Sequence, residues 1–211
     1  MKTKFLPLFP LGLVAFPTEK LNLHIFEPRY RELINECIDQ GTTFGIPAYI
    51  NGKLLSHGTE MKVIKVEKRY DDGSLDIKTK GIRPFVIQTF ENPCIGKLYA
   101  GGQVAERADP SLGDVPAMIG LTQRLKALHH ILQTSFEFDA SVAYFSYSVG
   151  HKVGLAIEEE YELLTLKTEA ERQVFLIQHL ERTLPILIEM ERTKERIKMN
   201  GHFKNLDPLK F

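Results

Sequence analysis

The feature that most constrains this chain is a change of hydrophobic period near Pro110. Before it, apolar residues come in short runs broken by Gly and Pro; after it, Met118, Leu121, Leu125, Leu128 and Leu132 recur at three and four residues. The first pattern suits strands whose side chains alternate across a sheet, the second a helix that buries one stripe. The 211 residues therefore predict an α+β protein: a β-rich subdomain over 1–110 and a helical bundle over 111–211, with ERADPSLGDVPA (105–116) as the linker.

In the first part, Phe5 to Val14 carries prolines at 7 and 10 and predicts an edge strand or extended segment, because proline cannot donate to a central ladder. Leu21, Leu23 and Ile25 alternate with Asn22 and His24, the mark of a half-buried strand. Phe44 to Ile50 is followed by Asn51-Gly52, a tight-turn signal. Met61–Lys68 and Ser74–Lys80 flank Tyr70-Asp71-Asp72-Gly73 and predict a hairpin with Gly73 at positive φ. With Phe85–Phe90 and Ile95–Val104 the strands number about six, enough to close or nearly close a small barrel.

In the second part, helices are expected over Ser141–Leu155 and Glu158–Leu164. Thr168 with Glu171 reads as a capping box opening a fourth helix that runs to about Met199. Pro185 predicts a kink, or a break at which the helix restarts.

The stretch LNLHIFEPRYREL (21–33) gathers a histidine, glutamates and arginines where strand becomes helix. Pro28 suits the first helical position, Tyr30, Leu33, Ile34, Cys37 and Ile38 keep helical spacing, and Gly41 supplies the stop. Glu27 is placed to meet the helix dipole and to pair with Arg31. The cluster therefore reads as a joint and not as a catalytic centre.

LPLFPLGLVAFPTEKLNLHIFEPRYREL resembles the opening of the N-terminal substrate-binding domain of the Lon (La) ATP-dependent protease family. The resemblance continues through Phe44-Gly45-Ile46, Gly58-Thr59, the Asp72-Gly73 hairpin, Gly81-Ile82-Arg83-Pro84-Phe85, Tyr99-Ala100 and the Glu158–Leu164 element. It implies a PUA-like β pseudo-barrel followed by a C-terminal α-helical bundle. It also implies a non-catalytic module that binds polypeptide segments, either unfolded clients or a partner protein. A full protease of that family adds ATPase and peptidase modules, but no Gly-x-x-x-x-Gly-Lys-Ser/Thr phosphate loop occurs here. Neither ATP hydrolysis nor peptide cleavage is therefore expected.

Composition narrows the remaining classes. Basic and acidic residues balance at 27 each, and the parts 1–114 and 115–211 carry 15 against 14 and 12 against 13. Neither has the positive excess typical of nucleic-acid binding. The RNA-binding alternative rests on a local strip, Lys65, Lys68, Arg69, Lys78 and Lys80, interleaved with Glu67 and Asp76. Two cysteines, Cys37 and Cys94, make neither a disulfide framework nor a metal knuckle, so a reduced, cytoplasmic setting is expected. The basic, apolar start is broken by Pro7, Pro10 and Pro17, so it does not read as a secretory signal, and no apolar run is long enough for a membrane span. A Cys94–histidine nucleophile using His24 or His57, and a metal site at His129, His130 and His151, have no supporting motif. No catalytic residue, metal or cofactor is expected. For polypeptide binding the candidates are Phe9, Phe16 and Phe26, at the strand-to-helix joint, with self-association through the bundle a further expectation.

Overall fold

The computed structural model describes residues 2–107, 111–134, 139–140 and 142–202. Six strands are arranged β2-β5-β4-β3-β1-β6, and β6 pairs back to β5. They are β1 (Thr3–Leu8), β2 (Lys20–Ile25), β3 (Phe44–Ile50), β4 (Lys53–Arg69), β5 (Leu75–Ile87) and β6 (Ala100–Glu106). One edge of β5 is shared: Leu75–Lys80 pairs with β2 and Phe85–Ile87 with β6. Strands β5, β4, β3, β1 and β6 thus close a ring, and β2 extends it as a side sheet.

Local chemistry explains most of these elements. Asn51 and Gly52 both take positive φ (52° and 75°) between the paired residues Ile50 and Lys53, as a two-residue hairpin turn requires. Gly73 (φ 83°) does the same in the β4–β5 hairpin. Helix α1 (Pro28–Gln40) opens with proline in its first turn and stops at Gly41 in the left-handed region. It lays Tyr30, Leu33, Ile34 and Cys37 on the sheet, against Ile25, Phe44, Met61, Leu75 and Ile77.

Three expectations are corrected. β1 is not an edge strand, because it pairs along its length with β6 and touches β3 at Leu8. Pro7 is tolerated there because the opposite residue, Gly101, exchanges its backbone hydrogen bonds with Glu91 and asks nothing of it. The strands expected over Ser74–Lys80 and Phe85–Phe90 are not separate but merge into the single strand β5, which ends at Ile87. Gly81 and Pro84 mark a bulge opposite Glu60–Met61, where the strand bends without ending. In the helical part, α2 (Val115–Leu132), α4 (Ile157–Thr165) and α5 (Glu169–His202) lie close to their expected places. The helix expected over Ser141–Leu155 is only the six residues of α3, Phe145–Gly150. Gly150 lets the chain pass the Phe16 ring, where a Cβ would lie 2.7 Å from it, and Gly154 turns at φ 78°.

The Thr168 capping box is present: Thr168 Oγ1 accepts from the Glu171 N–H at 3.2 Å, and Glu171 accepts from the Thr168 N–H at 2.8 Å. Pro185 does not break α5, which runs through it. The proline side chain is exposed, while Leu184 and Leu187 on either side pack on the helical core. That core contains Leu121, Leu125, Leu128, Phe145, Leu163, Leu176 and Leu180, and it is walled by Val14, Phe16, Ala48 and Ile50 from the β-rich part. The expected division at residue 110 falls on 108–110, and the expected start of the second helix on Ser141, both outside the described residues.

Candidate apolar groove at the strand-to-helix joint

A cleft of about 530 Å³ opens where β2 ends and α1 begins. The segment after β1 contributes Phe9, Pro10 and Leu11, held beside β3 by Phe9 N–H to Gly45 O (2.8 Å) and Tyr49 N–H to Leu11 O (2.8 Å). β2 contributes Leu23, His24 and Ile25; the joint contributes Phe26, Glu27, Arg29 and Tyr30. The β3–β4 hairpin adds Tyr49 and Leu54, and the loop before β6 adds Phe90 and Asn92.

The floor is dry and the rim is aromatic. Phe9, 5% exposed, stacks on Tyr30 with ring centroids 3.8 Å apart. Above it Phe26 (63%), Tyr49 (46%) and Phe90 (38%) remain exposed. Clustered exposed aromatics are the surface a soluble chain ordinarily buries. The charged residues at the joint are held by neighbours. His24 Nδ1 lies 2.7 Å from Asp76, and Glu27 pairs with Arg29 at 2.8 Å, while Arg29 also lies over the Tyr30 ring at 4.5 Å. Arg31 donates to the Asp72 carbonyl, so the expected Glu27–Arg31 pair gives way to Glu27–Arg29. Glu32 accepts from the Leu98 N–H at 3.0 Å. Burial raises the Tyr30 hydroxyl above its ordinary value, so it stays protonated and neutral at physiological pH.

Of the three phenylalanines expected to bind, two line this groove and one does not. Phe26 stands at the rim and Phe9 forms the floor, but Phe16 is fully buried in the helical core. It stacks on Tyr147 (5.2 Å) and packs on His151 (4.5 Å), so it is a structural plug and offers no surface. Tyr49, Leu54 and Phe90 were not singled out from the sequence. Tyr49 sits inside an apolar run that reads as all core, and nothing local marks it as the residue turned outward.

The chemical alternatives find no assembled site among the described residues. Cys94 Sγ faces the Glu91 carbonyl at 3.9 Å, and burial raises both its thiol and that of Cys37. The two candidate partner histidines are engaged elsewhere: His24 faces Asp76, and His57 Nδ1 lies 3.3 Å from the Tyr161 hydroxyl. No group of three or more His, Cys, Asp or Glu side chains is placed to hold a metal among the described residues. In the lysine strip, Lys65 and Lys78 share Glu67 at 2.9 and 3.2 Å, Lys68 lies over the Tyr70 ring, and Arg69 donates to Asn35. Glu67 thus supplies a counter-charge to two of the strip's five cations. Among the described residues no helix is long and apolar enough to cross a membrane.

Comparison with known proteins agrees with this architecture. The chain is similar over 83% of its length to a Lon N-terminal domain protein from Xanthomonas campestris, with 23% identity, a TM-score of 0.68 and 98% of that chain covered. It is similar over 84% to the N-terminal domain of the Mycobacterium avium complex Lon protease, with 16% identity, a TM-score of 0.63 and again 98% of that chain covered. These likenesses speak to the fold. The family model for the ATP-dependent protease La (LON) substrate-binding domain matches residues 5–182, and on that extent the chain belongs to this substrate-binding domain family.

Proposed function

We propose that this chain is a non-catalytic holding module: a PUA-like pseudo-barrel over 1–110 with a helical bundle over 111–211, working in the cytoplasm. It captures exposed segments of other polypeptides in the groove between β2, the β3–β4 hairpin and the start of α1. The observation that carries the reading is the trio Phe26, Tyr49 and Phe90 standing exposed over a floor of Phe9 and Tyr30. Membership in the substrate-binding domain family of an ATP-dependent protease supports a polypeptide as the ligand. Exposed aromatic side chains are effective anchors because they bury much apolar area while ordering few torsions.

The test is fluorescence anisotropy with a labelled, permanently unfolded protein, reduced and carboxymethylated, titrated with the full chain. Phe26→Asp should weaken binding at least tenfold while leaving the melting temperature near that of the parent, since the side chain is mostly outside the core. Unchanged affinity in Phe26→Asp and in Phe90→Asp would remove the groove from consideration.

A further inference from the structure

Within the polypeptide-binding reading, on which this inference rests, the sheet offers a main-chain site as well as a groove. β2 is the end strand of the side sheet: β5 pairs with one of its edges, and among the described residues no strand pairs with the other. In antiparallel pairing only alternate residues aim N–H and C=O at the partner, and the rest point outward. Among the described residues, no turn, loop or cap backbone bond reaches Lys20–Ile25 from that outer side.

Another edge is also open, and comparing the two decides which is built to receive a chain. β3 pairs with β4 only as far as Met61, so among the described residues no strand pairs with the outer edge of Lys62–Arg69. That edge is broken by register shifts at Val63–Lys65 and Val66–Lys68 and carries Lys62, Lys65, Lys68 and Arg69. Bulges and lysines are how sheets deter added strands. β2 keeps register with β5 over six consecutive residues without a shift. Its Leu21, Leu23 and Ile25 face the α1 side, where they join the core, and its Leu23, His24 and Ile25 line the aromatic groove.

Charge specifies the other end of the occupant. Lys20 stands in register with Lys80, and Lys80 with Lys62, so three lysines lie side by side across β2, β5 and β4. All three are exposed, and none has a carboxylate within ion-pair distance among the described residues. Like charges directly across strands repel, and an anionic side chain arriving beside Lys20 relieves that.

We propose that the client adds as an extended strand to the outer edge of β2, with apolar side chains opposite Leu21, Leu23 and Ile25 and an acidic side chain opposite Lys20. The recognised segment is therefore about six residues long, apolar at alternate positions and acidic at one end. Backbone bonds would supply affinity that is indifferent to sequence, and the groove and the lysine row would supply the preference.

The probe is a fluorescein-labelled peptide alternating leucine and serine over six residues with two glutamates at one end, made in both orders and titrated against the full chain. Methylating alternate backbone nitrogens of the peptide in one register should weaken binding about tenfold, and in the other register hardly at all, because each lost net hydrogen bond is worth a few-fold to tenfold. Amide exchange of Lys20–Ile25 should slow when peptide is bound, and Lys20→Glu combined with Lys80→Glu should reverse the preference for a glutamate end over a lysine end. Equal binding of both methylated series, with exchange in β2 unchanged and Phe26→Asp still disruptive, would overturn strand addition while leaving groove capture standing. If neither the peptide nor the unfolded protein binds, both readings fail together. A charge preference unaltered by the double reversal would overturn the assignment of the acidic position.

Discussion

His151 sits in the seam between the two parts of the molecule, its Nδ1 2.7 Å from Glu160 and its Nε2 3.2 Å from Glu19. Burial pulls its pKa down, but the hydrogen bonds to Glu19 and Glu160 outweigh that and lift it to about 9. His57 is opposite in sense: burial first, then the positive charge of Arg107, press it down to about 4. The linkage signs follow. His151 binds its proton more tightly folded than unfolded, so its contribution is complete below about pH 6.5 and is lost as pH rises through about 9. His57 must lose its proton to fold, so it withdraws stability as pH falls from about 6.5 towards 4. Urea denaturation across pH should therefore show a stability maximum near pH 6.5. His151→Gln should flatten the alkaline limb by about 2 kcal/mol, discounted for the ring's partial exposure, and His57→Gln should flatten the acid limb. A parallel pH profile for parent and His151→Gln would refute the bridging role. Glu169 and Arg172 give a second test. Both are fully buried, paired at 2.9 Å and closed by Ser146, whose hydroxyl and N–H donate to Glu169 at 2.8 and 2.7 Å. Glu169→Leu leaves the guanidinium buried without its anion and should cost about 3–5 kcal/mol in chemical denaturation.

At the scale of elements, the strands show how far local chemistry reaches. The Asn51-Gly52 turn, the proline-started α1 with its Gly41 stop, and the Thr168 cap are each specified by two or three residues, and each was legible in the sequence. β5 was not. Gly81 and Pro84 look like punctuation, yet Gly81 is there because the Phe16 carbonyl would lie 2.2 Å from a Cβ at that position. A residue 65 positions away decides the choice, and no local pattern records it. The groove followed the same rule. Phe26 and Phe9 were visible because they flank the strand-to-helix joint, whereas Tyr49 and Phe90 arrive from the β3–β4 hairpin and the loop before β6, and only their meeting makes a site. Phe16, near them in sequence, turns into the helical core. Gly81→Ala should therefore cost about 2–3 kcal/mol by overpacking against backbone that cannot yield. Gly12→Ala, whose Cβ would meet only Tyr49 O at 3.8 Å, should be close to neutral in the same melt. Equal effects of the two substitutions would mean that the close approach at Gly81 is not what fixes glycine there.

At the scale of the molecule, the change of hydrophobic period does not coincide with the division between cores, because the helical core takes one wall from the β-rich part. Val14, Phe16, Ala48 and Ile50 belong to the β-rich part by sequence but complete the core of the helices, and His151 bridges Glu19 to Glu160 across the same seam. Tyr161 reinforces it by accepting from the His57 N–H at 3.3 Å, as does Asn51 by donating to Glu158 at 3.1 Å. A fragment cut at the linker would expose that apolar wall on one side and remove it from the helices on the other. The parts should therefore unfold together, even though the period of the sequence divides them. Phe16→Ala is the sharpest probe, since it deletes a fully buried ring stacked on Tyr147 and packed against Gly150, and it should cost about 3–5 kcal/mol. In the parent protein, amide exchange in α3 and α4 should report the same opening free energy as exchange in β3 and β5. In Phe16→Ala the helices should open first, at lower denaturant, while the β5–β4–β3–β1–β6 ring persists. If helices and ring already open at different free energies in the parent, the shared core does not couple them, and each part holds its structure by its own contacts.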